Sequence, residues 1–285
     1  MLYILYILGF SLAKVLPLRA CYAIAEVIAR VYFVFAKNDR EALRENLKIV
    51  LGEDAGEEIF DKHIMGVFKN FAKYLVDFFR FPKFTEKYIS RNIEIEGREY
   101  LDRGLSEGRG VVALSLHLGN WELGGAVVAG LEYPISAIVL EHKNKRIDDF
   151  FVRQRAINGL KSIPIGIQIK ECFRALKRNE VIAIAGDKDY TSSGIPVDFF
   201  GKKAIIPRGP AAIALKTGAQ IVFCALIRKK NDTFKLCIEP PIKHETLGDP
   251  EKDLRTLMGK YLGIFEKHIR ENPDQWYAFK KIWDQ

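Results

Sequence analysis

Val111-Val112-Ala113-Leu114-Ser115-Leu116 runs directly into His117-Leu118-Gly119-Asn120-Trp121-Glu122-Leu123-Gly124-Gly125. The first six residues read as a buried strand, and the segment after them predicts the opening turns of a helix. A histidine thus ends a strand, and a carboxylate follows five residues later. Such a pair can form a base and the group that orients it, the minimum needed to activate a hydroxyl. In an open α/β sheet the carboxyl ends of strands are also where ligands collect. The competing reading of so short a pattern, H-x4-E, is a core histidine satisfied by a nearby acid. Gly119, Gly124 and Gly125 lower helix propensity, so close approach of backbone or substrate is the expected motive for them.

Outward from this stretch, short apolar runs recur between charged helical patterns. Ile93 to Ile95, Ile135 to Leu140, Val181 to Ala185, Ile221 to Ile227 and Phe234 to Ile238 read as further strands. The helical patterns between several of them predict parallel crossovers. The expected class is therefore α/β, with a mixed, largely parallel sheet flanked by helices. Ahead of the sheet, Asn38 with Glu41 predicts a helix cap. Phe60, Ile64, Val67, Phe68, Phe71, Leu75 and Phe79 then form one helical stripe, which Pro82 stops. A single stripe fits core packing better than a lipid-binding surface. The simplest division is a helical hairpin over residues 1–36, then one domain over residues 37–285. That domain is helical to residue 90 and α/β from residue 91.

The chain of 285 residues carries a formal charge of +8, and 48% of it is hydrophobic. This is an ordinary globular composition with a basic surplus. The surplus suits an anionic partner such as a phospholipid surface, a phosphorylated glycolipid or an acidic carrier protein. The basic-aromatic pattern of a nucleic-acid module is missing. Four cysteines stand far apart, so neither zinc nor disulfides are expected, and Cys224 and Cys237 read as small buried strand residues. Near the start, Met1 to Ala13 is uncharged, but Lys14, Pro17, Arg19, Glu26 and Arg30 interrupt the stretch beyond it. No uninterrupted stretch reaches the ~18 apolar residues of a clear membrane span. A signal peptide is not expected either, since a basic leading region and a small-residue cleavage site are lacking. Arg19, Glu26 and Arg30 share one helix face whose remainder is apolar. That pattern fits a hairpin lying in a membrane interface or one packed on the domain.

Three of the apolar runs end in ionisable groups: His117, then Glu141-His142, then Asp187. On parallel strands all three would emerge along one sheet edge. A helix over Phe150 to Arg155 carries Arg153 and Arg155, whose planar donors suit an anion. Asp187-Lys188-Asp189 also suits a metal-dependent glycosyltransferase, which stays open as an alternative, as does a non-catalytic basic module that binds membranes. Pro207-Arg208-Gly209-Pro210 leads into a helix whose N-terminus, with Arg208, can receive phosphate.

The series is specific when taken in order. Arg44-Glu45-Asn46-Leu47, Glu107-Gly108-Arg109-Gly110, the His117–Glu122 box, Arg155 through Gly159 and Gly186-Asp187-Lys188-Asp189 are followed by Val197-Asp198-Phe199-Phe200-Gly201, Pro207-Arg208-Gly209-Pro210-Ala211 and Pro273-Asp274-Gln275-Trp276. Over nearly its whole length the chain resembles the lipid A biosynthesis (late) acyltransferases, a branch of the lysophospholipid acyltransferase superfamily. The resemblance implies transfer of a fatty acyl group from an acyl-carrier-protein or coenzyme A thioester to a hydroxyl of a membrane glycolipid, such as a lipid A precursor, with no further cofactor and no metal. It also implies a place on the cytoplasmic face of the inner membrane, peripheral or held by one N-terminal anchor. His117 is expected as general base, with Glu122 on its other ring nitrogen. Arg155 is expected to stabilise an oxyanion or phosphate, with Asp187 fixing it. Asn120, Asp189 and Arg208 are expected to contact substrate. Lys188 departs from the Gln or His often found between the two acids of the family.

Overall fold

The computed structural model describes residues 2–166, 169–244 and 248–283, the side chain of Leu2 excepted. Met1 of the expected hairpin and the final two residues of the expected domain lie outside the described residues. Five helices come first: α1 (Leu2–Val15), α2 (Leu18–Phe35), α3 (Lys37–Leu51), α4 (Glu57–Phe79) and α5 (Glu86–Asn92). Strands and helices then alternate through β1 (Ile93–Glu96), α6 (Arg98–Ser106), β2 (Val111–Ser115), α7 (Trp121–Gly130), β3 (Ile135–Val139) and α8 (Lys145–Ile157). The alternation continues through β4 (Lys161–Pro164), α9 (Ile169–Lys177), β5 (Val181–Ala185), the hairpin β6 (Ile195–Phe199) and β7 (Lys202–Ile206), and α10 (Gly209–Thr217). Last come β8 (Gln220–Arg228), β9 (Phe234–Ile238) and α11 (Pro250–Glu271).

The seven-stranded sheet has the order β1-β9-β8-β2-β5-β3-β4. Only the β8–β9 pair is antiparallel, so the expected mixed, largely parallel sheet is what the chain forms. β2 sits near its centre and is buried on both faces, as a run of apolar residues requires. Val112 and Leu114 pack with Leu176, Ala214 and Phe265 from α9, α10 and α11. Val111 and Ala113 pack with Leu101, Leu123 and Phe150 from α6, α7 and α8. The result is a helix–sheet–helix sandwich whose central strand delivers His117 to the carboxyl edge.

Two details differ from expectation. Asn38 lies inside the first turn of α3 and does not cap it; Ala36 holds the cap position, with no side-chain bond to the helix. Strand β4 is one that the apolar runs do not announce, and of the β6–β7 hairpin, which stands apart from the main sheet, the sequence announces only the strand end and turn at Phe199-Phe200-Gly201. The alternation Lys161-Ser162-Ile163-Pro164 is too short and too polar to stand out.

The N-terminal helices are held by α4. Tyr6 and Phe10 of α1 set their rings against Phe79 and Phe150, while Ala29 of α2 joins Leu43, Phe60 and Ile64 in a separate apolar cluster. Their outer faces stay bare: Leu5, Leu8 and Leu12 on α1, and Val27, Ile28, Val31 and Val34 on α2, are exposed. No helix among the described residues is long and apolar enough to cross a membrane.

Candidate active site

Strand register brings the central pair together. Ser115 of β2 lies opposite Ala185 of β5, so two residues further along, His117 meets Asp187. His117 Nδ1 is 2.7 Å from Asp187 Oδ1, and the His117 backbone N–H donates to the same oxygen at 3.1 Å. Trp276 Nε1–H donates to the other oxygen at 3.2 Å. Asp187 is fully enclosed; burial pushes its pKa up, but the imidazole's charge and hydrogen bonds, helped by Lys188, outweigh this and hold it at about 2. An ionised carboxylate on Nδ1 selects the tautomer with the proton there and leaves Nε2 with its lone pair.

Glu122 occupies a different position from the one expected. It sits on the first turn of α7, buried against Arg155 of α8. Arg155 Nε donates to Oε2 at 2.8 Å and Nη2 to Oε1 at 2.5 Å, a two-point fork. Thus Asp187, not Glu122, orients His117, and Glu122, not Asp187, fixes Arg155. Burial lowers the pKa of Arg155, but the Glu122 carboxylate more than compensates and keeps the guanidinium charged. The pairings are exchanged because sequence proximity suggests one partner, whereas strand register and the facing of α7 toward α8 supply another.

Gly119 shapes the turn between the two. Its φ is +62°, and a Cβ there would sit 2.1 Å from the Leu226 carbonyl oxygen, so only glycine fits. Asn120 is spent on structure. Its Oδ1 accepts the Leu123 N–H at 3.0 Å and caps α7, while its Nδ2 donates to Asp77 at 2.9 Å. At 1% exposure, and absent from the wall of the cavity described below, it is placed away from a substrate, contrary to the expected contact. Behind it lies a polar cluster that the sequence does not disclose. Asp77 of α4 accepts from Tyr22 of α2 and from Arg228 at the end of β8, and Arg228 Nη1 also donates to Tyr22 Oη at 3.0 Å. The C-terminal motif around Trp276 closes the arrangement. Gln275 Oε1 accepts the Arg228 N–H, its Nε2 donates back to the Arg228 carbonyl, and its own carbonyl takes the Gly119 N–H, all at 2.9 Å.

His117, Glu122, Arg155 and Asp189 line one cavity of about 740 Å³, within the ordinary size of a ligand pocket. Apolar groups from β3, β5, α9 and α10 form much of its wall, among them Ile138, Ala183, Ile169, Phe173, Ala212 and Ile213. Glu141 and His142 reach it as well, so the sheet edge gathers the three ionisable run ends to which the sequence points. Burial lowers the His142 pKa. Ser115 also lines the cavity, but its hydroxyl donates to the Leu116 carbonyl at 3.4 Å rather than to His117. Lys188 Nζ donates to the Tyr277 carbonyl at 2.8 Å, and burial lowers its pKa against the pull of Asp187. Asp189 turns its carboxylate into its own loop, accepting Thr191 N–H at 2.8 Å and Gly194 N–H at 2.6 Å. Arg208 precedes α10 as an exposed residue; Pro207 and Gly209 on either side line the cavity, but Arg208 does not. With Asp187 given to His117 and Asp189 to its turn, the D-x-D pair is not arranged as a metal cradle. No group of three His, Cys, Asp or Glu among the described residues is placed to hold a metal ion.

Comparison with known proteins places the chain in a family. Phosphatidylinositol mannoside acyltransferase of Mycolicibacterium smegmatis is 25% identical over 284 residues, covering 98% of this chain and 90% of that protein. The Mycobacterium tuberculosis H37Rv protein of the same name is 27% identical over 286 residues, covering 98% and 87%. Lipid A biosynthesis palmitoleoyltransferase of Escherichia coli K12 is 26% identical over 245 residues, covering 85% and 78%. The family described as bacterial lipid A biosynthesis acyltransferase matches residues 1–285, and the chain belongs to that family and is an acyltransferase.

Proposed function

We propose that the chain moves a fatty acyl group from a thioester to a hydroxyl of a membrane glycolipid, with His117 as general base. The observation that carries this is the imidazole, fixed through Nδ1 by Asp187, lining a largely apolar cavity of about 740 Å³. Nε2 removes the proton from the acceptor hydroxyl as its oxygen attacks the thioester carbonyl. Asp187 stabilises the imidazolium that forms. When the tetrahedral intermediate collapses, the carbon–sulfur bond breaks and the imidazolium proton goes to the departing thiolate. The acceptor attacks directly, since Ser115 is not bonded to the base. Arg155 spends one N–H on each of Nε and Nη2 in its fork to Glu122, and the two N–H groups of Nη1 with the second of Nη2 are the donors left for an oxyanion or phosphate.

The donor is a thioester of coenzyme A or of an acyl carrier protein. Phosphatidylinositol mannosides and lipid A precursors, after which the relatives are named, define the acceptor class. The bare apolar faces of α1 and α2, flanked by Lys14, Arg19 and Arg30, suit peripheral docking on an anionic leaflet, and the reaction then runs on the cytoplasmic face of the inner membrane. Purified protein with acyl-coenzyme A and each glycolipid, followed by mass spectrometry, tests the proposal. A gain of one acyl mass is expected, lost in His117→Ala. Folded His117→Ala protein acylating at the wild-type rate defeats it.

A further inference from the structure

Tyr190 is 51% exposed, yet its ring lies 6.2 Å from the His117 ring, inclined at 71°, and it lines the same cavity. A single exposed aromatic needs no explanation by itself; this one stands beside the base. It joins none of the apolar clusters of the fold. The other ring flanking the imidazole, Trp121 at 5.1 Å, already stacks on Tyr74 at 4.3 Å.

The segment that presents Tyr190 is built for the purpose. Both oxygens of Asp189 fold it: Oδ1 accepts the backbone N–H and hydroxyl of Thr191, each at 2.8 Å, and Oδ2 accepts the Gly194 N–H at 2.6 Å. Thr191 Oγ1 and Ser193 Oγ are 2.6 Å apart. A Cβ on Gly194 would lie 2.8 Å from Asp189 Oδ2 and 2.7 Å from Ile205 Cγ2, so a side chain there would push the Asp189 carboxylate or Ile205 out of place. A carboxylate at the sheet edge is thereby spent on holding an aromatic ring and two hydroxyls at the cavity wall.

We infer that Tyr190 is the platform on which the acceptor's sugar ring stacks, with Thr191 and Ser193 meeting its hydroxyls. This rests on the glycolipid acceptor proposed above and adds the residue that holds the sugar. A pyranose has an apolar C–H face and a hydroxyl rim. An exposed tyrosine ring offers an apolar face with little side-chain entropy to lose, and the adjacent hydroxyls both donate and accept. The acyl chain is better served by the wall of Ile138, Ile169, Phe173 and Ile213. A phosphate is poorly served here, because the turn itself carries the Asp189 carboxylate and the neighbouring Lys188 spends its ammonium on the Tyr277 carbonyl.

Two measurements test the subsite. In steady-state acyl transfer, Tyr190→Ala is expected to raise the acceptor KM about tenfold, with donor KM and hydrolysis of the thioester by water within about twofold, and Tyr190→Phe is expected to stay near wild type. An unchanged acceptor KM, or a loss confined to the donor, overturns the assignment. In saturation-transfer NMR with phosphatidylinositol mannoside in micelles, the wild type should transfer magnetisation to the sugar protons and Tyr190→Ala should not. Wild-type protein that reaches the lipid but not the sugar protons overturns the subsite, whatever the reaction. Contact with the sugar, lost in Tyr190→Ala, but no acylation of any glycolipid would instead defeat the proposed reaction and leave the subsite standing.

Discussion

His117 Nδ1 and Asp187 Oδ1 stand 2.7 Å apart, and the same oxygen also takes the His117 backbone N–H. Two bonds from one residue fix the carboxylate against the imidazole, and Trp276 holds its other oxygen. The imidazole is therefore aligned before any substrate arrives, the condition under which the proton transfer proposed for it is most effective.

Asp187→Asn keeps the shape and removes the charge that stabilises the imidazolium. Turnover should fall by ~10²–10⁴-fold, the range typical of general acid–base catalysis, with a smaller change in KM. The carboxyl pKa is held at about 2 in the folded protein, below the ~3.9 of an unfolded aspartate. The pair's stabilisation is thus fully present above pH ~3.9 and disappears as the pH falls toward the folded value; it amounts to about 2 kcal/mol. Urea denaturation at several pH values should show this acid-side loss in the wild type and its absence in Asp187→Asn.

Glu122 and Arg155 should behave as a separate unit. Removing one partner strands a buried charge, so Glu122→Gln and Arg155→Met should each cost ~3–5 kcal/mol of stability. Replacing both with apolar residues of similar volume should cost much less than the sum. Combined with His117→Ala, however, Glu122→Gln should act multiplicatively on turnover, since the two side chains do not share a hydrogen bond. Strong non-additivity in that second cycle would return Glu122 to the role of orienting the base.

Acyl transfer should persist in excess EDTA. The proposed base is an imidazole–carboxylate pair, and the two aspartates of the D-x-D pattern are committed to His117 and to the turn at Thr191. Loss of acyl transfer in EDTA, restored by magnesium or manganese, would instead give a metal ion a part in the acyl transfer, with Asp187 or Asp189 as its ligand.

Ala212 of α10 lines the apolar wall of the cavity. Ala212→Phe should shorten the accepted chain, because each methylene that no longer fits forfeits ~1–3 kcal/mol of discrimination. Rates measured with acyl-coenzyme A from ten to eighteen carbons should shift their maximum downward. An unmoved optimum with a uniformly lower rate would mean that the chain lies elsewhere.

Much of the fold and site is legible in the sequence, and the illegible part has a physical reason. The apolar run Val111 to Leu116 announces a buried strand, and histidine after it announces a site, because both signals are local. That His117, Glu141 and Asp187 share an edge follows from parallel topology alone. Which carboxylate serves which cation does not, for it depends on the register of Ser115 against Ala185, seventy residues away in sequence. Asn120 shows the same limit: its amide is claimed by Asp77, a residue buried in a helix whose sequence reads simply as a phenylalanine stripe. Trp276 stands in a recognisable motif, but only the fold shows that its indole N–H ends on Asp187.

The exposed apolar faces of α1 and α2 lead to the last prediction. Val27 and Val31, 59% and 57% exposed, lie one helical turn apart on the outer side of α2. Because they pack against little, Val27→Glu with Val31→Glu should leave thermal unfolding almost unchanged. In a bilayer interface, the same two charges would lose apolar burial and meet a negative surface potential. Co-sedimentation with phosphatidylglycerol vesicles should therefore drop steeply. Acylation of a vesicle-embedded glycolipid should drop with it, while hydrolysis of a soluble thioester by water continues. A double variant that sediments as the wild type does would show that this face serves something other than the membrane. A variant that detaches yet still acylates embedded acceptor at the wild-type rate would show that docking through α2 is not how the site reaches its lipid.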